Sequence, residues 1–344
     1  MLESIRFLVP GTTDKFRCGG LSIELQTARL LASRYRTEII TYRQKENAHQ
    51  FLDDYYIKES KGKNVLWIVS WGFDVPWLLK KLRGHWVAYH AHSSGYGFGL
   101  QAGIPILAVS RNTLGYWAHH ASRNPLFLVP NAIAPEWRTR GALEDTSRRP
   151  IDVLVQKRKS SSYVLKQLIP ELKKEGLNIV VQEGWTEDVI DLFNRSTVFI
   201  YDSAEYWRGR GVSEGFGLPP IEALSCGCIV FTSYNHALAD LLSPGVMSEQ
   251  IGCGSLESDV ARIVRAVRSP AVARADIQSV KQLLEELSEV KLLERWDYAI
   301  QRIEEHWLGM TVLRHRALEM PSRIELGVKQ IRQRLAKRLS RARA

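Results

Sequence analysis

The sequence predicts an α/β protein of two domains, each built on a mainly parallel sheet. Three observations carry this. Short apolar runs alternate with segments of helical periodicity, which is the pattern of βα units. The alternation stops over a polar stretch near residue 140 and then starts again. The length, 344 residues, accommodates two cores at roughly 100–200 residues per domain.

In the first half, IRFLVP (5–10) predicts a strand, and its loop ends at Gly19-Gly20. LSIELQTARLLASRY follows with helical spacing, then TEIITY (37–42) as a second strand. VLWIVS (65–70), WVAYHA (86–91), IPILAVS (104–110) and LFLVP (126–130) predict further strands, with helices near 74–82 and 111–121. Residues 1–137 form the first domain, and the polar, non-periodic 138–150 its linker.

The pattern restarts with IDVLVQ (151–156) as a strand and SYVLKQLIPELKKEG as a helix ended by Gly176. NIVVQ is a strand, and TEDVIDLFNRS a helix opened by a threonine cap with acidic residues in its first turn. TVFIYDS and CIVFTS are strands on either side of the helix PPIEALSCG. From about Ser255 to Leu308 the chain reads as almost wholly helical. The second domain is set at 151–292, with a helix over 293–310 placed to brace the first domain.

Composition narrows the function. No apolar run approaches the roughly 20 residues that span a bilayer, and MLESIRFLVPG suits a first strand better than a signal peptide. Cys18, Cys226, Cys228 and Cys253 show neither disulfide nor zinc spacing, so reduced thiols in a cytoplasmic protein are expected. The net charge is +10, of which +8 falls in residues 311–344, with ten Lys/Arg and two Glu. The body is therefore nearly balanced.

One stretch carries chemistry: SEGFGLPPIEALSCG, residues 213–227. TVFIYDS delivers the chain to the C-terminal edge of its sheet, where open α/β sheets bind ligands. Gly215 and Gly217 permit close approach and unusual backbone angles, and Pro219 and Pro220 tolerate a helix start. The first-turn amides offer a site for a phosphate or sugar oxygen. Glu214 precedes the turn and Glu222 lies in the first helical turn, so the two carboxylates flank one ligand.

This Glu-x7-Glu signature resembles that of the retaining glycosyltransferases of the GT-B fold, family 4, the glycosyl transferases group 1. LAVSRNTLGYWAHHASRNPLFLVPNAI and GGLSIELQTARLLA are similar to two further segments of that family, and the resemblance covers most of residues 1–308. It implies two Rossmann-like α/β/α domains facing a central cleft, with C-terminal helices. It also implies a nucleotide-diphosphate-sugar donor held mainly by the second domain, and a glycan, lipid-linked or other hydroxyl acceptor entering from the first. By resemblance Glu222 takes the ribose hydroxyls, Glu214 the transferred sugar, and the amides of Gly215, Phe216, Gly217 and Leu218 the sugar and phosphate. Gly19 and Gly20 form the first glycine loop at the donor. Basic residues after the first strand of the second domain face the leaving diphosphate, and Lys157, Arg158 and Lys159 stand there without the family's usual spacing. Lys159 is taken as the catalytic cation.

Other residues are open to two readings. His90 and His92 end a strand; the family often has a histidine near donor sugar and acceptor there, whereas a sheet-edge histidine is otherwise structural. The G-x-G-x-G of Gly95, Gly97 and Gly99 lacks the spacing of a dinucleotide site and reads as a mobile loop. Arg208 and Arg210 are expected in an extended loop, solvated or touching an anion. With no Asp-x-Asp, zinc spacing, nucleophile elbow or P-loop, neither metal nor cofactor is expected. Ile324, Val328, Ile331, Leu335 and Leu339 make an apolar stripe through the basic tail 311–344. That pattern suits an anionic membrane surface, and hence a peripheral location; a solvated or partner-packed helix is the alternative, and nucleic acid fits less well without interleaved aromatics. Two rival functions share the same cleft: a GT-B sugar-nucleotide epimerase or phosphorylase, and a non-catalytic sugar-nucleotide-binding protein.

Overall fold

The computed structural model describes residues 2–55, 64–184 and 186–342, and the side chains only as far as residue 336. The first sheet contains β1 (Ser4–Val9), β2 (Thr37–Thr41), β3 (Gln50–Phe51), β4 (Val65–Val69), β5 (Trp86–Ala91), β6 (Ile106–Ala108) and β7 (Leu126–Leu128). They pair in the order β3-β2-β1-β4-β5-β6-β7, and all six pairings are parallel. The second sheet contains β8 (Ile151–Gln156), β9 (Ile179–Gln182), β10 (Ser196–Tyr201), β11 (Ile229–Thr232) and β12 (Glu249–Gln250). Its order is β12-β11-β10-β8-β9, again all parallel.

Every residue of β1, β4 and β5 is buried. That is the reason their sequences show continuous apolar runs rather than alternation: helices cover both faces of the sheet. Each expected strand is present. The two that the sequence hides, β3 and β12, are two-residue edge strands, too short to leave any periodicity.

Outside the motif, helices differ from expectation in three places. The linker is not wholly irregular, because Pro135–Arg140 is a helix whose Trp137 is buried against Phe193. Arg149 is also buried, donating to the Ser196 carbonyl at 2.8 Å. The helix expected to open on Thr186 begins three residues later as Val189–Asn194, and Asp188 caps it by accepting from the Asp191 N–H at 3.0 Å. Arg208 and Arg210 lie in the helix Ala204–Arg210, not in an extended loop. Gly211, at φ 67°, ends that helix in the left-handed conformation that favours glycine.

The long helix Glu289–Thr311 runs onto the first domain. Leu292, Trp296, Ala299, Ile300 and Ile303 recur at helical spacing and pack with Ile5, Phe7, Leu66 and Ile68. At its far end Trp307 donates its indole N–H to the Val87 carbonyl at 3.2 Å. The preceding helix Ile277–Glu286 belongs to the second core through Val280 and Leu284. The chain therefore crosses between domains at Leu287, whose carbonyl accepts from the Ile133 N–H at 3.0 Å.

Beyond it lies the helix Arg323–Ala342. Ile324, Val328, Ile331 and Leu335 are all exposed on it, Ile324 by 79%; the Leu339 side chain lies outside the described residues. Among the described residues, no helix is long and apolar enough to cross a membrane.

Candidate active site

The C-terminal edges of the two sheets meet in a polar seam. On the first-domain side are the loop after β1, ending at Gly19-Gly20, and residues 92–99 after β5. On the other side are residues 157–160 after β8 and 202–217 after β10. Ser213 joins them. Its Oγ accepts from the Ser94 N–H and the Ser94 hydroxyl at 2.9 Å each, and its carbonyl accepts from the Ser93 hydroxyl at 2.6 Å. The Ser213 N–H returns a bond to the Ser94 carbonyl at 3.1 Å.

The glycines of the turn have distinct reasons. A Cβ on Gly215 would lie 1.5 Å from the His92 carbonyl oxygen, so backbone meets backbone across the seam there. Gly217 has φ 87°, and a Cβ on it would meet Leu238 at 2.4 Å. Phe216 turns the other way, into the second core, so only its main chain remains at the turn. The helix starts at Leu218, one residue earlier than its prolines suggest, which puts Glu222 fifth, at the opening of the second turn. Pro219 and Pro220 bring no N–H. The amides of Gly215, Phe216, Gly217 and Leu218 find no acceptor among the described residues. Leu218 also reaches the first domain, 3.9 Å from where a Gly19 Cβ would stand.

Glu214 is buried and fully engaged. One carboxylate oxygen accepts from the Tyr201 hydroxyl and from the Trp207 indole N–H, each at 2.6 Å. Lys159 Nζ lies 3.3 Å from both oxygens and 4.7 Å from the centre of the Trp207 ring. The Glu214 N–H donates to His236 Nδ1 at 3.2 Å. Burial pushes the His236 imidazole down, against the pull of Glu214, which suits a ring that accepts at Nδ1. Glu222 is half-buried; desolvation pushes its carboxyl up to about 7, with Lys159 pulling it back.

The three basic residues after β8 diverge because they form a tight 3₁₀ turn. Lys157 is exposed and paired with Glu183 at 2.7 Å, and Arg158 is exposed. Lys159 alone points to the glutamates. Arg208 and Arg210 are exposed, and Arg210 stacks over Tyr206 at 3.8 Å.

In the first domain His90 and His92 share one partner. Glu24, on the helix Gly19–Leu31, accepts through Oε1 from His90 Nδ1 and His92 Nε2, both at 2.6 Å. Burial alone would raise the Glu24 carboxyl, but the two imidazoles outweigh it and hold it at about 2. Burial pushes His90 down, against the pull of Glu24. The His90 side chain is 1% exposed and that of His92 15%, so only His92 retains an open edge. Gly20 lies beside that ring, where a Cβ would stand 4.0 Å from Cγ.

Among the described residues these three are the one group that could hold a metal ion, their ligating atoms lying within 4.8 Å of one another. The 2.6 Å contacts are hydrogen-bond lengths. They are shorter than the roughly 3.3 Å between ligands placed tetrahedrally on zinc.

Sequence reasoning missed Glu24, Tyr201, Trp207, Ser213 and His236. Tyr201 ends the strand before the motif and Ser213 opens the quoted stretch, so their positions in sequence point to them. Glu24 has no local signal, because its partners are 66 and 68 residues away.

Residues 146–274 match the model of the family Glycosyl transferases group 1. No curated protein matches the chain in sequence. Among solved structures it is similar to a glycosyltransferase from Rickettsia africae, with 12% identity, a TM-score of 0.64, and 89% of this chain and 99% of that one covered. Sucrose-phosphate synthase from Thermosynechococcus elongatus is also 12% identical, with a TM-score of 0.58 and 88% and 99% covered. Anabaena HepE, in complex with UDP and glucose, is 11% identical, with a TM-score of 0.58 and 87% and 100% covered. The chain thus carries a glycosyltransferase domain within a two-domain GT-B fold.

Proposed function

We propose that the chain is a retaining, metal-independent glycosyltransferase that moves a sugar from a nucleotide-diphosphate donor to a hydroxyl acceptor. The observation that supports it best is the arrangement around one turn. Four free amides lie between Glu214 and Glu222, and Lys159 stands against Glu214.

In this reading the amides of Gly215 to Leu218 take sugar and diphosphate oxygens, and Glu222 accepts from the ribose hydroxyls. Lys159 turns from Glu214 to the diphosphate, where negative charge grows as the glycosidic C–O bond breaks. Glu214, released, accepts from a sugar hydroxyl. The acceptor oxygen bonds to the same face of the anomeric carbon, and its proton passes to the departing phosphate. Lys159 and the amides stabilise the diphosphate charge in place of a metal ion.

Similar structures hold UDP with glucose, UDP-glucose, and UDP with GlcNAc, so uridine-diphosphate sugars lead the donor panel. A thermal-shift screen against that panel, followed by turnover of the best binder, tests the reading, since a bound donor raises the melting temperature. Stabilisation by no nucleotide sugar rejects it. Turnover without an acceptor favours the epimerase or phosphorylase instead.

A glycan or lipid-linked acceptor follows from the same reading. The exposed apolar stripe of the basic helix Arg323–Ala342 supports work at the surface of an anionic membrane, on its cytoplasmic face.

A further inference from the structure

Glu24 has no part in the reaction described above, yet it is the charged group buried deepest on the first-domain side of the seam. At 1% exposure a carboxylate needs strong partners, and its partners are two imidazoles on a single oxygen. An ionised carboxylate only accepts hydrogen bonds, so both facing ring nitrogens donate. The protons are thereby assigned: His90 carries its own on Nδ1 and His92 on Nε2.

The two rings then differ in use. His90 is closed in, edge-to-face against Trp296 at 5.1 Å, and its Nε2 has no hydrogen-bond partner. It anchors Glu24 from below. His92 retains Nδ1 as a lone-pair acceptor. That atom adjoins Cγ, over which Gly20 leaves room by lacking a side chain. The main chain of His92 meets Gly215, at the start of the amide turn.

We propose that Glu24 is a positioning residue. It locks His92 in the Nε2–H tautomer, so that His92 Nδ1 accepts a hydrogen bond from a hydroxyl of the transferred sugar. The proposal rests on the reading that a sugar nucleotide occupies this seam. It extends that reading to a first-domain contact whose direction is set by a buried carboxylate.

The test uses the full chain labelled with ¹⁵N-histidine, wild type and Glu24→Gln, with resonances assigned through His90→Gln. Wild-type His92 is expected to show a protonated Nε2 and a bare Nδ1 without any ligand. Glu24→Gln, which retains the shape but loses the charge, is expected to show a mixture of tautomers. With the best-binding nucleotide sugar of the panel, its kcat should fall about 100-fold while KM for the donor changes little, the cost of misplacing one contact. Melting curves separate this from misfolding.

A wild-type His92 protonated on Nδ1 overturns the proposal. So does a Glu24→Gln variant with unchanged tautomer and rate, or stoichiometric zinc binding that shifts both rings together. The tautomer reading requires no substrate, so the two hypotheses fail separately. The expected tautomer without binding of any nucleotide sugar overturns the function, whereas turnover with the other tautomer overturns only this inference.

Discussion

Lys159 and Glu214 hold each other at the seam: Nζ stands 3.3 Å from both carboxylate oxygens. The pair is more than a surface contact, since the Glu214 side chain is 6% exposed and Lys159 also reaches the Tyr201 hydroxyl at 3.0 Å. A buried carboxylate holding three donors is fixed in direction. A lysine on a flexible stem is not, and it can exchange one anion for another. In the proposed reaction this is the resting form, and the diphosphate replaces Glu214 as the partner of the cation.

Lys159→Ala should lower kcat by about 10²–10³-fold, the usual cost of removing one charge-stabilising donor. Lys157→Ala should alter it less than about twofold, because an exposed ion pair contributes little. Steady-state turnover of both variants checks the split. Equal losses would mean that the whole basic turn, not one residue of it, faces the phosphates.

If Glu222 holds the ribose as proposed, donor binding should be pH-dependent. Ribose hydroxyls would donate to the ionised carboxylate, and desolvation has pushed this group up to about 7. Donor affinity should therefore rise about tenfold between pH 6 and 8, and Glu222→Gln should flatten that rise. The effect on stability has the opposite sign. A carboxyl raised from 4.5 binds more protons folded than unfolded, so its contribution is present below about pH 4.5 and lost as pH rises through 7. Glu222→Gln should then melt higher than wild type at pH 8 but not at pH 4. Calorimetric titration and melting curves check both.

How much of this was legible follows from distance along the chain. Glu214, Gly215, Gly217 and Glu222 lie within one motif, so their chemistry reads locally. The basic turn after β8 was visible, but which of its residues faces inward depends on the 3₁₀ geometry of Lys157–Lys159. Phe216 stands among the motif residues, yet its side chain is in the core, a distinction that needs the packed domain. Trp207 was hidden because its stretch reads as a loop, while the helix that carries it forms and aims the indole at Glu214. Glu24 looked like an ordinary polar position on an amphipathic helix. Only the fold brings β5 against it.

Ser213 tests whether the seam is a structural unit. Its hydroxyl accepts from Ser94 twice at 2.9 Å, in a buried setting. Ser213→Ala leaves the Ser94 N–H without that acceptor, at a cost of about 1–3 kcal/mol. A lower melting temperature is expected, with a larger radius of gyration by small-angle X-ray scattering as the domains part. A variant as stable and compact as wild type would show that the Ser213 hydroxyl is not needed to hold the seam, whose main-chain bonds from Ser213 remain.

The tail gives the last prediction. Residues 311–344 carry +8 of the chain's +10, and their helix leaves Ile324, Val328, Ile331 and Leu335 exposed. Water solvates charge well and that apolar stripe poorly, so the helix gains where both are matched: at an anionic lipid surface. The full chain should co-sediment with phosphatidylserine-containing vesicles and far less with neutral ones, weakening as salt rises. A chain ending at residue 310 should remain in the supernatant. Ile331→Asp should weaken sedimentation while leaving turnover on a soluble acceptor unchanged, because the apolar stripe, not the charge alone, seats the helix. Equal partitioning of the full and shortened chains rejects membrane docking in favour of a solvated or partner-packed helix.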